Sequence, residues 1–194
     1  MNQTPGTGPS PMRTALVLVD VINSFFEVGN PNYYDSVTAV LPALHDLLRR
    51  ARENDTFVVH AVERHYAGLD DFEFTKLPRH HEDGANEADF FPGFEPAVRS
   101  REVVIPKRRY SAFYATDLDL FLREQGIGRL VIAGVKTNVC IRATVQDAFA
   151  GGFDVVVPRE ATNSNRPHLA EASLEDIERY FGQVVDLADA IELL

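Results

Sequence analysis

A chain of 194 residues with 45% hydrophobic and 25% charged residues can bury one sizeable core, and a net charge of -10 argues against nucleic acid or an anionic membrane as partner. The single cysteine, Cys140, excludes an internal disulfide and points to a reducing, cytoplasmic setting. No apolar run is long and uncharged enough to span a bilayer. Residues 1–12, MNQTPGTGPSPM, carry neither a basic nor an apolar leader region. They read as a disordered tail ahead of a single domain over 13–194.

From the N-terminus, TALVLVD (Thr14 to Asp20) is a near-continuous apolar run, the mark of a strand covered on both faces of a parallel sheet. Val37, Val40, Leu41, Leu44, Leu47, Leu48 and Ala51 then recur at helical spacing, with Asp35 or Ser36 placed to cap the helix. TFVVHAV (Thr56 to Val62) repeats the first pattern. The stretch from Glu63 to Ser100 fits no such unit, and a connection of that length in a compact domain reads as a functional excursion or lid. Beyond it come the strand EVVIP, the helix ATDLDLFLREQGI, the strand RLVIAG, a helix after Cys140, the strand DVVVP, a helix from about His168 to Phe181, and QVVDL. Strand and helix in alternation predict a three-layer α/β/α sandwich around a six-stranded, mainly parallel sheet.

Ligands of open parallel sheets bind at the carboxyl ends of the strands. Asp20 closes the first strand, Lys107 follows VVIP, and Cys140 lies beyond VIAG. Each has an ordinary reading as well: Cys140 as a small core residue, Asp20 as a turn cap, Lys107 as one charge in the run KRRY. Together they suffice for nucleophilic attack on an amide carbon. A thiol at the start of a helix and beside a lysine is expected to favour thiolate, and Asp20 would take its proton and return it to the departing amine. The turn GVKTNVC offers backbone N–H groups for an oxyanion.

The motifs LVLVDVINSFF, IPKRRYSAFYATDLDLFLREQGI and LVIAGVKTNVCIRATVQDAFAGGFDVVVP resemble those of the isochorismatase-like cysteine hydrolases, a superfamily that includes nicotinamidase, N-carbamoylsarcosine amidohydrolase, biuret hydrolase and ureidoacrylate amidohydrolase. The resemblance implies an Asp20, Lys107, Cys140 triad and a cis peptide between Val135 and Lys136. It also implies an oxyanion hole made by the backbone N–H groups of Lys136 and Cys140, and a homodimer or homotetramer. Isochorismatases proper typically lack the cysteine, so Cys140 favours C–N hydrolysis of a small amide, ureido or carbamoyl compound. Nicotinamidases carry a metal on an Asp-x-His pair and a further His. Here VERHY offers Glu63 and His65, and RHHED offers His80 and His81. Surface histidines in an acidic loop are the commoner case, so no metal or other cofactor is expected.

For the substrate pocket, Phe25 matches an aromatic position that lines it in family members. Tyr110 and Phe113 follow Lys107 closely enough to reach the same cavity, and Asn23 is placed to orient a polar group, although both phenylalanines also suit a core. Arg108 and Arg109 suit a carboxylate. Arg142 points away from Cys140, toward a neighbouring element or subunit. A non-catalytic interaction module on the same fold is the alternative from another class. A nucleotide or flavin binder is disfavoured by the absence of a Gly-rich phosphate loop after the first strand.

Overall fold

The computed structural model describes residues 12–97 and 100–194. The expected tail over 1–12 lies outside them except for Met12. The elements follow the chain as β1 (Arg13–Val19), a short α1 (Asn23–Phe26), a 3-10 turn (Asp35–Val40) running into α2 (Leu41–Glu53), and β2 (Phe57–Glu63). After the long connection come β3 (Glu102–Lys107), α3 (Leu118–Glu124), β4 (Ile127–Val135), α4 (Arg142–Ala150), β5 (Asp154–Pro158), β6 (Thr162–Asn163), α5 (Pro167–Tyr180), β7 (Gln183–Val185) and α6 (Leu187–Glu192).

The sheet runs β3-β2-β1-β4-β5-β7, parallel throughout, with the two-residue β6 paired to β4 beyond this path. Among the described residues, seven strands replace the six expected. Thr162 and Asn163 are too short a run to leave a periodic signal, and they join the sheet only because Gly134 and Val135 pass beside them. Asp35 and Ser36 do not cap α2: they lie within the 3-10 turn, whose cap position is Tyr34.

Alternation along β1 divides the core. Leu16 and Leu18 face α2, through Leu44, Leu47, Leu48 and Ala51, and α6 through Ala190. Ala15, Val17 and Val19 face Leu118 and Leu122 of α3, Val145 and Ala148 of α4, and Leu174 and Ile177 of α5. Burying each leucine contributes about 1.5–3 kcal/mol, and truncating a fully buried one such as Leu47 to Ala costs about 2–5 kcal/mol. This is the expected three-layer sandwich.

The connection from β2 to β3 departs most from a sequence reading. It holds two 3-10 turns, Phe72–Thr75 and Asn86–Ala88, and is pinned by isolated bridges Ile22–Phe90 and His65–Glu82. Phe94 is fully buried, and Phe90 and Phe91 pack on the α2 side of the core. Its aromatic residues are therefore largely core, with Tyr66 and Phe72 the exposed ones.

Candidate active site

Three parallel strands deliver the site. β1 ends at Val19, and Asp20 turns off it with φ 54°, a left-handed conformation that Asp tolerates better than most residues. Its N–H donates to the Ala61 carbonyl, and its Oδ1 accepts from the Glu63 N–H at 2.8 Å, so β2 fixes the carboxylate. Lys107 is the last residue of β3, registered opposite Glu63. Its Nζ donates to Asp20 Oδ2 at 2.8 Å and lies 3.6 Å from Cys140 Sγ and 3.9 Å from Glu63 Oε2.

Cys140 is reached through a close approach. Gly134, opposite Val19, has φ +120°, and a Cβ there would sit 2.1 Å from the Val19 carbonyl oxygen. The Val135–Lys136 peptide is cis, as the resemblance implied. The chain then makes a wide π turn over Thr137–Ile141, in which the Ile141 N–H donates to the Lys136 carbonyl, before α4 begins at Arg142. Cys140 thus stands in a wide turn ahead of the helix rather than in its first regular turn.

Asp20 and Lys107 are fully buried, and Cys140 and Glu63 nearly so. Burial pushes the Cys140 thiol well above the ordinary value. Lys107 pulls it down and Asp20 and Glu63 push it further up, so this environment favours the thiol over the expected thiolate. Burial opposes charge on Lys107 as well, but Asp20, Cys140 and Glu63 outweigh it and its pKa is raised. A neutral thiol within 4.8 Å of a carboxylate oxygen of Asp20, with an ammonium beside both, can transfer its proton as it attacks.

A second cluster adjoins this one. Glu63, His65, Glu73 and His80 are all buried, and each offers a ligand atom within 4.8 Å of the others. The histidines expected at the surface are inside, because the 3-10 turn at Phe72–Thr75 folds back and stacks Phe74 on His65 and His80. His80 Nδ1 lies 2.6 Å from the Pro78 carbonyl, which aims Nε2 at Glu63 Oε1, 3.1 Å away. His65 Nδ1 is 3.2 Å from Asp71 Oδ2, an ion-pair separation without hydrogen-bond alignment, and its Nε2 is 3.3 Å from Glu63 Oε1. Neither oxygen of Glu73 has a hydrogen-bond partner among the described residues. Two imidazoles oriented by their far nitrogens, with two carboxylates, one of them unsatisfied, fit a divalent cation of the zinc class. His81 points its Nε2 at Ser24 Oγ, 2.7 Å away, while its Nδ1 lies 3.6 Å from Glu63 Oε2.

The electrostatics match. Burial pushes the Glu63 carboxyl up, but Lys107 and the adjoining His65, His80 and His81 hold it well below the usual range. Burial lowers His80, yet Glu63, Glu73 and the Pro78 carbonyl push it up to about 10. Glu73 was missed from the sequence: one acid among many in a loop has no periodicity to mark it.

Of the proposed pocket residues, Phe25 is buried against His81 with ring centroids 5.5 Å apart. The Tyr110 hydroxyl is pushed up to about 12, by burial first and then by the charges of Glu73 and Glu63. Phe113 stacks on Phe153, and the Asn23 side chain donates to the Asn86 carbonyl, tying α1 to the long connection. Arg109 pairs with Asp71 at 2.8 Å and Arg108 lies over the Tyr66 ring, both lining a cleft of about 570 Å³ outside β3. Arg142 reaches Asp176 on α5.

Residues 14–189 match the isochorismatase domain. The chain belongs to the isochorismatase family. Within that family it is 33% identical to a maleamate amidohydrolase from Pseudomonas putida, over 99% of this chain and 90% of the relative. An isochorismatase-like hydrolase structure from Alkaliphilus metalliredigens superposes with a TM-score of 0.86 at 32% identity, covering 93% of this chain and 98% of that one. The nicotinamidase/pyrazinamidase PncA from Bacillus subtilis gives 0.84 at 30%, covering 90% and 100%. No helix among the described residues of this isochorismatase-family chain is long and apolar enough to cross a membrane.

Proposed function

We propose that this protein is a cysteine-dependent amidohydrolase that cleaves the C–N bond of a small amide, ureido or carbamoyl compound through a thioester. The observation that carries the reading is the contact of Lys107 Nζ with both Asp20 Oδ2 and Cys140 Sγ in a buried site. The relatives named for maleamate and nicotinamide hydrolysis support the reaction class.

As Sγ bonds to the carbonyl carbon, the thiol proton passes to Asp20. The oxyanion is held by the backbone N–H groups of Lys136 and Cys140. Collapse breaks the C–N bond, and Asp20 returns the proton to the departing nitrogen. Water, deprotonated by Asp20, then attacks the thioester carbon, and the S–C bond breaks to regenerate the thiol. Lys107 stays charged throughout and offsets the negative charge as it moves among Asp20, Sγ and the oxyanion. Phe25 and Tyr110 line the substrate space in this reading. The assembly is a homodimer or homotetramer in the cytoplasm, with the β2–β3 connection helping to close the site.

The unsatisfied Glu73 carboxylate favours one addition, in which Glu63, His65, Glu73 and His80 hold a divalent cation. Such an ion would supply positive charge and a docking point for a substrate lone pair beside the triad.

An amide panel scored by ammonia release tests the proposal. Wild type is expected to turn over at least one member, and Cys140→Ala to fall below about one part in a thousand of that rate. An acyl-enzyme mass on Cys140 after acid quench is the expected intermediate. Retained turnover in Cys140→Ala refutes the nucleophile.

A further inference from the structure

Lys136 enters the reading above only through its backbone, yet its side chain is unusually placed. It is partly buried, and its Nζ lies 5.5 Å from the Phe25 ring centroid and 5.6 Å from that of Tyr34. Both rings are tied to neighbouring groups. Tyr34 Oη donates to Asn163 Oδ1 at 2.7 Å, and Phe25 leans on His81, which is itself tied to Ser24. Among the described residues no carboxylate comes within 4.0 Å of the Lys136 ammonium. The nearby Glu63 is already engaged by Lys107 and three histidines. A desolvated cation held over two aromatic faces, with no anion of the protein to meet it, is a binding element awaiting one.

We infer that the Lys136 side chain is a specificity-determining residue that binds an anionic group of the substrate, so that the preferred substrates are amides carrying a carboxylate. The inference rests on the amidohydrolase reading and deepens it. Lys136 opens the wide turn that carries Cys140, and its carbonyl accepts from the N–H groups of Val139 and Ile141 on either side of that cysteine, so the ammonium and the nucleophile spring from one short segment. A carboxylate on Lys136 would therefore anchor a small amide beside the turn that carries Sγ. A lysine serving only to favour the thiolate or the oxyanion would treat charged and neutral electrophiles alike. A lysine that binds the substrate's anion would not.

The test compares iodoacetate with iodoacetamide as alkylating agents of Cys140, and calorimetric binding of maleate and succinate, in wild type, Lys136→Met and Lys136→Arg. The expected result is an iodoacetate-to-iodoacetamide rate ratio about 10–100-fold lower in Lys136→Met, a matching loss of dicarboxylate affinity, and substantial recovery of both in Lys136→Arg. An unchanged ratio, equal slowing of both reagents, or no dicarboxylate binding by the wild type overturns the inference. Neither measurement needs turnover, so failure of the amide panel would count against the amidohydrolase reading without deciding the role of Lys136. With an active enzyme, kcat/KM for a dicarboxylic acid monoamide against its methyl ester is expected to lose the same discrimination in Lys136→Met.

Discussion

Lys107 Nζ lies 2.8 Å from Asp20 Oδ2, and neither side chain has any exposed surface. Charges this deeply desolvated are tolerable only as a pair, and removing one leaves the other uncompensated at a cost of about 3–5 kcal/mol. Lys107→Met is expected to lose roughly that much stability in urea unfolding, as is Asp20→Ala. The double variant is expected to lose clearly less than the sum. Strict additivity would mean that the two groups do not interact.

The Cys140 thiol is pushed up by burial. Because thiolate alone is alkylated, inactivation by iodoacetamide is expected to climb with pH and to show its midpoint above the ordinary value of 9.0. Lys107→Met, which removes the neighbouring positive charge that lowers this pKa, is expected to move the midpoint higher. A plateau reached near neutrality would contradict the neutral resting thiol.

Gly134 has no room for a side chain: an added Cβ would lie 2.1 Å from the Val19 carbonyl oxygen at a φ of +120°. Gly134→Ala must push β1 and β4 apart where they position Asp20 and Cys140. The expected outcome is a loss of about 3 kcal/mol or more in unfolding free energy, or failure to fold. Wild-type stability in this variant would mean that β4 follows a different path.

His60 and Glu102 make the fold acid-sensitive away from the site. Arg52 grips both oxygens of Glu102, at 2.7 and 3.0 Å, so its charge is already matched when His60 Nε2 approaches to 2.8 Å. Burial therefore wins, and the His60 pKa is lowered from 6.5 despite the carboxylate. Below pH 6.5 the unfolded chain binds a proton that the folded one refuses until a lower pH, so this contribution is present above 6.5 and falls with acidification. Glu102, held below its usual 4.5 in the fold, adds a loss as pH drops below that value. The decline in stability between pH 6.5 and 5 is expected to be shallower in His60→Asn, by up to about 1.4 kcal/mol per pH unit. Equal slopes would show that His60 is protonated when folded.

For the Glu63, His65, Glu73 and His80 cluster, the expectation is stoichiometric zinc binding by chelator-stripped protein, with a higher Tm on metal addition. Glu73→Gln and His80→Ala are each expected to weaken binding at least about tenfold. Equal zinc affinity in wild type and both variants would show that these side chains are not ligands.

The strands and their order of alternation with helices were legible because two-sided burial writes unbroken apolar runs such as TALVLVD, and amphipathic α2 writes a helical period. Strand-end logic singled out Asp20, Lys107 and Cys140 from the chain alone, since a parallel sheet gathers the carboxyl ends of its strands at one edge. What the sequence could not decide depends on contacts between distant segments. The burial of His65 and His80 comes from a loop that folds back on β2, and the convergence of Glu73 on them leaves no local pattern. The direction in which the Cys140 pKa moves turns on burial, which outweighs the neighbouring lysine. Lys136 was visible as a letter in GVKTNVC. Only the tertiary fold, by bringing the rings of Phe25 and Tyr34 to it and, among the described residues, no carboxylate within 4.0 Å, left its charge without a partner.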